Sequence, residues 1–461
     1  MREYELIIDE ALRKGISPKL EMPSNSQFLS EALGFRIGEA GVEIFRPGEN
    51  PLPATVDMYY EWPFPQFLVG EGYNILVVRE PGNVDRLYTV SDDMNTVTFI
   101  ASITNLMYGT GTVFEMADFG NYAMLVNGVS RVYRNVAGAW TQGAAEATIP
   151  LMRTICNFKG QAVGGGVTSV WHDCDEKYYI WSKIGEMDFT PDLRNEAGYR
   201  RCPFGGDVYH VRRLGDQVIG YSSKGITSIF PVGSPAATFG FKELIDVGVR
   251  NRGAVGGNLF RQIYVGTDLE IRQVTSEGVK KLGYKYLMDD IDNEDIIVQY
   301  DPKEGDFYIG NSQRTFLLSA QGMTEIKQHP SAIWRINEDN VYMIPDAEDV
   351  VDSEICSEVF DMGYRGQKTI STMETDAYLT GDITAAVDYA FDINTFGTSP
   401  YFPINNVGIA SINVAGNMFR FRLRFDENYS GFRLSYIRAR YKMTDLRGVR
   451  GVYAPPLRGQ S

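Results

Sequence analysis

A stretch in the middle of the chain, KYYIWSKIGEMDF at residues 177–189, holds the residue types that a small polar site would need. Its opening residues are bulky and favour a β-strand, and its glycine favours a turn. The Trp-Ser-x-x-Gly-x-x-Asp-Phe spacing either builds a site or forms the edge of a repeated structural unit. The answer decides between an enzyme and a structural protein.

Histidine is scarce, which limits the enzyme classes that the chain could support. A Ser-His-Asp triad or a histidine-ligated metal would have to use His172, His210 or His329. His172, Asp173 and Cys174 together resemble a ligand cluster, but no second group has the spacing that completes a zinc site. The cysteines are scattered without a C-x-x-C pair, which favours reduced, buried thiols: Cys156, Cys174, Cys202 and Cys356.

Two loops have the composition of ligand-binding loops but not their full pattern. The glycines at 160 and 164–166 are not followed by the Gly-Lys-Ser/Thr ending of a phosphate loop. The acidic loop 289–295 lacks the glycine and the distant glutamate of an EF-hand. We therefore predict no catalytic residue, no metal and no cofactor.

Composition places the chain among ordinary globular proteins. It has 461 residues, of which 44% are hydrophobic and 22% charged. The 47 glycines, 27 tyrosines and 25 phenylalanines favour many short strands joined by tight turns. The N-terminal residues are too charged for a signal peptide, and no apolar run is long enough to span a membrane. We expect the protein to fold in a cytosol.

The strand pattern predicts an all-β protein built mainly as a β-propeller. Residues 1–60 are expected to form an N-terminal arm, with a helix over residues 1–14 and a hairpin that Arg46-Pro47-Gly48 closes. Residues 61–350 repeat four short strands every 35–50 residues or so, as propeller blades do, and have room for five to seven blades. The clearest unit is 295–328. Residues 351–461 are expected to form a C-terminal β domain, sandwich-like, with an extended tail.

The C-terminal region is basic, whereas the rest of the chain is acidic. Residues 415–461 carry a net charge of +7, and residues 1–414 carry −22. Alternation places five arginines on the outer faces of two strands, and we predict that they form a subunit interface with acidic surface: Arg420, Arg422, Arg424, Arg438 and Arg440. A solvated basic face and a contact with DNA are the alternatives. The acidic remainder is expected to let DNA pass without gripping it.

Three stretches resemble a family of bacteriophage virion proteins, the β-propeller tail hub proteins of short-tailed phages, also called packaged-DNA-stabilisation or tail accessory proteins. The first is SEALGFRIGEAGVEIFRPG, which resembles the family's N-terminal hairpin. The second is YYIWSKIGEMDF, which resembles its Tyr-x-Trp-Ser-x-x-Gly strand. The third is GFRLSYIRARYKMTDLRG, which resembles its final Gly-Phe-x-Leu strand.

The resemblance implies a structural, non-enzymatic role in the virion. With that role, we predict that Tyr179 and Trp181 fill a blade interface, that Gly185 permits the turn, and that Asp188 serves that turn or a neighbouring chain. It implies a homo-oligomeric ring, a hexamer, that is assembled in the host cytoplasm below the portal and adaptor proteins. Such a ring extends the DNA channel, helps to retain packaged DNA, and seats a needle, nozzle or fibres. DNA would pass through the lumen without sequence-specific binding. The alternatives are a propeller-based tail module that binds a receptor or that binds or cleaves surface glycans, and a propeller protein of another bacterial kind.

Overall fold

A computed structural model of the chain describes most of its length. The described residues are 3–20, 23–45, 62–82, 84–91, 96–104, 113–143, 147–232, 238–336, 340–344, 352–364, 366–376, 383–392, 395–426 and 433–444. The chain divides into two compact units. The propeller unit is Pro47–Thr315 with Gln328–Asp346, and the accessory unit is Met1–Arg46, Phe316–Lys327 and Ala347–Ser461. Among the described residues, neither helix is long and apolar enough to cross a bilayer.

The chain begins with strands of the accessory unit. These elements are β1 (Glu3–Ile8), α1 (Ala11–Lys14), β2 (Leu29–Leu33), β3 (Phe35–Gly38) and β4 (Gly41–Ile44). The helix predicted over residues 1–14 is therefore wrong for most of its length. In β1, side chains alternate between exposed glutamates and less exposed Tyr4 and Leu6, a period of two that a strand satisfies. The predicted hairpin is confirmed as β3–β4, and its expected Pro-Gly closure lies outside the described residues.

Five consecutive four-stranded antiparallel sheets form blades 1 to 5 of the propeller unit. Blade 1 contains β5 (Gln66–Gly70), β6 (Tyr73–Glu80), β7 (Val84–Val90) and β8 (Val97–Thr104). Blade 2 contains β9 (Glu115–Asp118), β10 (Ala123–Val126), β11 (Arg131–Arg134) and β12 (Trp140–Gly143). Blade 3 contains β13 (Met152–Phe158), β14 (Gln161–Val167), β15 (Tyr178–Ile184) and β16 (Gly198–Arg201). Blade 4 contains β17 (Val208–Leu214), β18 (Gln217–Ser222), β19 (Ile226–Pro231) and β20 (Phe239–Ile245). Blade 5 contains β21 (Val255–Gly257), β22 (Gln262–Val265), β23 (Ile271–Thr275) and β24 (Gly278–Gly283).

Two further hairpins complete the propeller unit. After α2 (Lys285–Asp290), the chain forms β25 (Ile297–Tyr300), β26 (Phe307–Gly310), β27 (Thr315–Leu318), β28 (Met323–Ile326), β29 (Ala332–Ile336) and β30 (Asn340–Ile344). The four strands predicted within 295–328 are thus present as β25–β28. The hairpins β25–β26 and β29–β30 belong to the propeller unit. The predicted all-β propeller of five to seven blades is confirmed.

The first strands of the blades form the inner ring of the propeller unit. Contacts run from β5 to β9, from β9 to β13 and from β13 to β17, and then from β21 to β25 and from β25 to β29. The strand β29 packs back on β5 and so joins the last hairpin to blade 1. Between neighbouring blades lie apolar clusters, such as the one in which Ile75 of blade 1 meets Leu125 of blade 2. Blade-to-blade burial is therefore the main hydrophobic contact of this unit.

The accessory unit completes the strand order with β31 (Ser353–Ser357), β32 (Lys368–Thr375), β33 (Ile383–Ala390), β34 (Gly397–Thr398), β35 (Phe402–Pro403), β36 (Ile409–Gly416), β37 (Met418–Phe425), β38 (Arg433–Leu434) and β39 (Ile437–Met443). One of its sheets has the order β1-β39-β32-β36, and another runs β28-β2-β31-β37-β33. A small sheet has the order β3-β4-β38. The strand β33 of the second sheet packs on β36 of the first, which gives the predicted sandwich-like arrangement.

The N-terminal residues are part of this accessory unit and not a separate arm. The strand β1 pairs with β39, and β2 pairs with β31. The boundary predicted at residue 60 therefore separated segments that pair along their backbones. Their pairing joins positions more than 300 residues apart, which is a tertiary effect that local sequence patterns do not report.

Candidate functional site

The Trp-Ser-x-x-Gly-x-x-Asp segment occupies a blade interface, as predicted. Tyr179 and Trp181 on β15 are 0% and 7% exposed and pack in the cluster between blades 3 and 4. The indole Nε1 of Trp181 donates to the carbonyl oxygen of Glu196 at 2.7 Å. Gly185 has a φ of 77°, which favours glycine at this turn.

Asp188 fixes the loop that follows β15. Its carboxylate accepts a hydrogen bond from the backbone N–H of Thr190 at 2.9 Å and pairs with the ammonium group of Lys183 at 2.5 Å. The serine of the motif, Ser182, accepts from the backbone N–H of Ala162 at 3.0 Å. Every polar group of the motif thus serves the backbone or the loop, so the segment is structural.

A buried charged cluster lies on the inner ring, and we name it the axial cluster: Glu115, His210, Arg212 and Arg252. Glu115 lies on β9, while His210 and Arg212 lie on β17. His210 Nδ1 is 2.6 Å from Glu115 Oε1, and Arg212 Nη2 is 3.2 Å from the same oxygen. The other ring nitrogen of His210 faces the carbonyl oxygen of Arg252. The cluster therefore ties blades 2, 4 and 5 together.

The electrostatics of the axial cluster favour an ionised Glu115. Burial alone would raise the pKa of Glu115, because a buried carboxylate loses its hydration. The neighbouring Arg212, His210 and Arg252 outweigh burial and lower this pKa to about 2. Burial lowers the pKa of His210, while Glu115 opposes that shift. These pKa shifts come from contacts between blades of one chain, so they depend on the complete inner ring of the propeller unit.

Arg252 connects three backbone segments through one guanidinium group. Its Nη1 donates to the carbonyl oxygen of Asn127 at 3.3 Å, and its Nη2 donates to those of Val113 at 3.3 Å and Arg153 at 3.0 Å. Burial, and next the charge of Arg153, lower the pKa of Arg252 to about 10. The five donors in fixed geometry suit this bridging role, which a lysine could not fill.

A cavity of about 550 Å³ adjoins the axial cluster. Its opposite lining includes the buried pair of Asp301 and Arg335, in which Arg335 Nε donates to Asp301 Oδ1 at 2.7 Å. Asp301 lies next to β25 and Arg335 lies on β29, so the pair joins the last two hairpins of the propeller unit. Apolar side chains, among them Leu68 and Trp334, also line the cavity.

Turns at one end of the inner ring are linked to one another in sequence order. Glu71 N donates to Asp118 at 2.6 Å, and Asn157 donates to the carbonyl oxygen of Asp118 at 2.8 Å. The remaining links are Lys159 with Asp216 at 2.8 Å, Gly215 N with the carbonyl oxygen of Leu259 at 2.8 Å, and Asn258 with the Tyr300 hydroxyl at 2.6 Å. Each link joins the turn of one blade to the next blade.

The group of His172, Asp173 and Cys174 forms a strained turn at the edge of blade 3. His172 and Asp173 have φ values of 45° and 56°, which L-residues adopt rarely. The imidazole of His172 lies 6.0 Å from the ring of Tyr199, with 21° between the planes. Within the described residues, no group of three or more His, Cys, Asp or Glu side chains has metal-binding geometry.

Two of the three predicted interface arginines on β37, Arg422 and Arg424, pair with acidic residues of their own chain. Arg422 is enclosed most, because its Nε is 2.8 Å from Asp388 and its Nη1 is 2.9 Å from both Glu31 and Glu354. Arg424 Nη2 is 3.4 Å from Glu354. The charge-covering partner that we expected from a neighbour is thus provided within the accessory unit.

Arg420 differs from its neighbours on β37. Its guanidinium lies 4.7 Å from the centre of the Phe396 ring, and its Nε is buried without a hydrogen-bond partner. The Coulombic field of Arg420 acts on Glu358 and opposes the rise in pKa that burial gives that carboxyl. Within the described part of the chain, Arg420 therefore contacts an aromatic face and forms no ion pair.

The predicted arginines on β39 share one acid. Arg438 Nη1 is 3.1 Å from Glu374, and Arg440 Nη2 is 3.4 Å from the same carboxylate. Arg440 Nε is also 3.2 Å from Glu5 on β1. Because β37 and β39 lie in different sheets, their basic rows do not face each other along a shared ladder. The subunit-interface role of the five arginines stays a prediction.

Sequence reasoning did not identify the axial cluster. Its members lie on strands that are far apart in the chain, and Glu115 and His210 are separated by 95 positions. His210 lies two residues after the buried Val208 on β17, and strand alternation therefore predicts that it points to the same face. The only signal in the sequence was thus a polar residue at an inward-facing position of a strand. That signal identifies a buried histidine but not its partners.

No family model matches this chain. No curated protein matches it either. Among solved structures, the chain is similar to the Pan2 WD40 domain of Neurospora crassa, with 5% identity, coverage of 61% of this chain and 89% of that chain, and a TM-score of 0.38. It is also similar to BamB from Moraxella catarrhalis, with 10% identity, coverage of 61% and 84%, and a TM-score of 0.36. The strand topology makes the chain an all-β protein with a propeller unit and an accessory β unit.

Proposed function

We propose that this chain is a non-enzymatic structural protein of a phage virion, a tail hub or connector of a short-tailed phage. The observation that carries the proposal is where the three family-like stretches lie. The first contains hairpin β3–β4, the second contains β15 at a blade interface, and the third contains β38 and β39. The resemblance therefore falls on residues that build the fold, as expected for a family whose function is assembly.

The proposed assembly is a homo-oligomeric ring of six copies below the portal and adaptor proteins. The ring extends the DNA channel, helps to retain packaged DNA, and seats a needle, nozzle or fibre protein. It is assembled in the host cytoplasm and carried in the virion tail. The net charge of −22 on residues 1–414 supports a lumen along which DNA slides without being held.

Mass measurement in solution together with negative-stain images tests the proposal directly. The expected result is a ring with a central channel, formed by the purified full chain. A compact monomer at every concentration up to that of a virion-assembly reaction would contradict it. A salt-sensitive affinity for duplex DNA, with a slope of several phosphate contacts, would contradict the sliding lumen but not the ring.

A second candidate function, recognition of a surface glycan, has one specific observation in its favour. His172 and Tyr199 present two near-parallel rings at the edge of blade 3, and Tyr199 is 42% exposed. Apolar faces of sugar rings pack on such aromatic faces, while their hydroxyls bond to the polar rim. Binding of capsule or lipopolysaccharide preparations that Tyr199→Ala abolishes would favour this candidate. Tyr122→Ala, which removes an aromatic residue of blade 2, is the matched control.

A further inference from the structure

Two open strand edges bound one sheet of the accessory unit. In the order β1-β39-β32-β36, the two central strands pair on both sides. Within the described parts of the chain, β1 pairs with β39 alone and β36 pairs with β32 alone. An edge strand presents backbone N–H and C=O groups on its open side, and these groups can pair with a strand of another chain.

The edge at β36 is covered by its own chain at Ile409, whose backbone N–H donates to Asn405 Oδ1 at 3.0 Å and whose carbonyl oxygen accepts from the backbone N–H of Asn405 at 3.0 Å. From Ala410 onwards, this edge lacks the usual protection against such pairing. This strand, Ile409–Gly416, is eight residues long and contains neither a charged residue nor a proline. The outer strands of blades 3, 4 and 5 each carry arginine or lysine, and that of blade 2 is only four residues long. The outer strand of blade 1 is also uncharged, but the other edge of its sheet, β5, lies in the inner ring. That sheet cannot be extended from both ends.

Strand direction allows the open edges to meet head to tail. All three neighbouring pairs in this sheet are antiparallel, so β1 and β36 run in opposite directions. A second copy in the same orientation therefore places its β1 antiparallel to β36 of the first. The sheet would continue across the boundary with unchanged alternation. Pairing of unlike edges is heterologous, which is the kind of contact that builds a cyclic ring.

The exposed Ile7 of β1 lies level with Ile409 at the start of β36. The register joins Ile7 to Arg438, Arg438 to Glu374, and Glu374 to Ile409. Residues paired in this way point to the same face of the sheet. Ile7 is 47% exposed. Because Asn405 already bonds the backbone of Ile409, the register that leaves this turn in place is displaced by two residues, with Ile7 of one copy opposite Ser411 of the next and beside Ile409.

We propose that β1 of one copy pairs with β36 of the next copy, so that one β-sheet crosses each subunit boundary. This inference rests on the proposed ring and specifies the surface that builds it. The occupant of the β36 edge is a second copy of this chain. The acidic β1 brings its own ion pairs with β39 to the boundary, and these keep β1 attached to its own chain.

A cysteine cross-link tests the pairing in the full chain. In the double variant Ile7→Cys/Ser411→Cys, directly opposite positions of two copies have β-carbons within reach of a disulfide. Mild oxidation should convert most of the chain into a ladder of covalent oligomers that ends at the ring. Ile409→Cys in place of Ser411→Cys captures pairing without the displacement by two residues. Covalent dimers from Ser411→Cys alone would overturn the proposal, because they require β36 to pair with β36.

A second variant separates this inference from the proposed function. Ile7→Lys should weaken ring assembly at least tenfold, whereas the control Val136→Lys, at a position of the propeller unit that is 78% exposed, should leave assembly unchanged. The melting temperatures of both variants should equal that of the native chain within experimental error. If the native chain forms rings, yet neither cysteine pair cross-links and Ile7→Lys assembles normally, the edge pairing is wrong and the ring proposal stands. A native chain that stays monomeric overturns both.

Discussion

His210 and Glu115 meet at 2.6 Å between Nδ1 and Oε1, although they lie on the first strands of blades 4 and 2. The strand between them, β13, belongs to blade 3, so the contact bridges over a whole blade at the centre of the ring. Arg252 adds hydrogen bonds to blades 2 and 3 from the blade 5 side. Polar contacts of the axial cluster thus couple blades 2 and 4, which are not neighbours in the propeller unit.

Replacing Glu115 with Gln should lower the free energy of unfolding at neutral pH by about 3 kcal/mol. The reason is that the folded state lowers the pKa of Glu115 from 4.5 to about 2. A lowered carboxyl pKa contributes stability that is complete above pH 4.5 and is lost as the pH falls towards 2. Urea unfolding of both proteins across this range should show a difference that shrinks with acidification. An equal difference at acidic and neutral pH would contradict the ion-pair account, and exposed Glu277→Gln is the control.

Arg252→Lys should destabilise the propeller unit by roughly 2–4 kcal/mol, since one ammonium group cannot reach three carbonyl oxygens in different segments. The guanidinium now donates to Val113, Asn127 and Arg153. The midpoint of urea unfolding should fall without a change in the m-value. Arg194→Lys on an exposed loop is the matched substitution. Equal midpoints for the two variants would show that the bridging is energetically unimportant.

Tyr221→Phe should cost about 1–3 kcal/mol, because it leaves a buried amide oxygen without its donor. The Tyr221 hydroxyl donates to Gln262 Oε1 at 2.7 Å, and Gln262 Nε2 donates to the carbonyl oxygen of Arg213 at 2.8 Å. These two consecutive hydrogen bonds link blades 4 and 5. Tyr199→Phe removes a hydroxyl from a ring that is 42% exposed and should change thermal stability by less than 0.5 kcal/mol or so. Calorimetry of the two variants measures the contrast directly.

Arg422→Glu should destabilise the accessory unit itself, by about 3–5 kcal/mol. The substitution adds a carboxylate next to Asp388, Glu354 and Glu31, all within 2.9 Å of the present guanidinium. Arg422→Met, which removes charge without adding repulsion, should cost less. Hydrogen exchange of β33 and β37 should report the local loss. A fully stable Arg422→Glu chain that fails only in assembly would instead support the subunit-interface role of this arginine.

Local sequence patterns were sufficient for the blades because each blade is built from neighbouring strands. The alternation in 295–328 predicted four strands that are present, and Tyr179 with Trp181 predicted a blade interface that is confirmed. The start of the chain was misassigned as a helix, because Tyr4, Leu6 and Ile7 also fit a partial helical stripe. This segment forms a strand because it pairs with β39, which lies more than 400 residues away in the sequence.

The charges of the C-terminal strands were predicted correctly, but not their partners. The sequence placed Arg422 and Arg440 on outer faces and required acidic cover. It could not show that Glu31 and Glu5 provide part of that cover, because those residues lie more than 390 positions away. The axial cluster was missed for the same reason, since its pairs form only when the inner ring is complete.

The pairing of β1 with β39 has a consequence for synthesis of the chain. A ribosome emits Glu3–Ile8 long before Ile437–Met443, the strand with which they pair. The propeller unit is translated in between and can form its blades in order as each one leaves the exit tunnel. During that time β1 has no partner from its own chain, and its exposed backbone is open to chaperones or to polysomal neighbours. Slowing translation of the codons for Ile437–Met443 should therefore lengthen the time in which nascent chains associate.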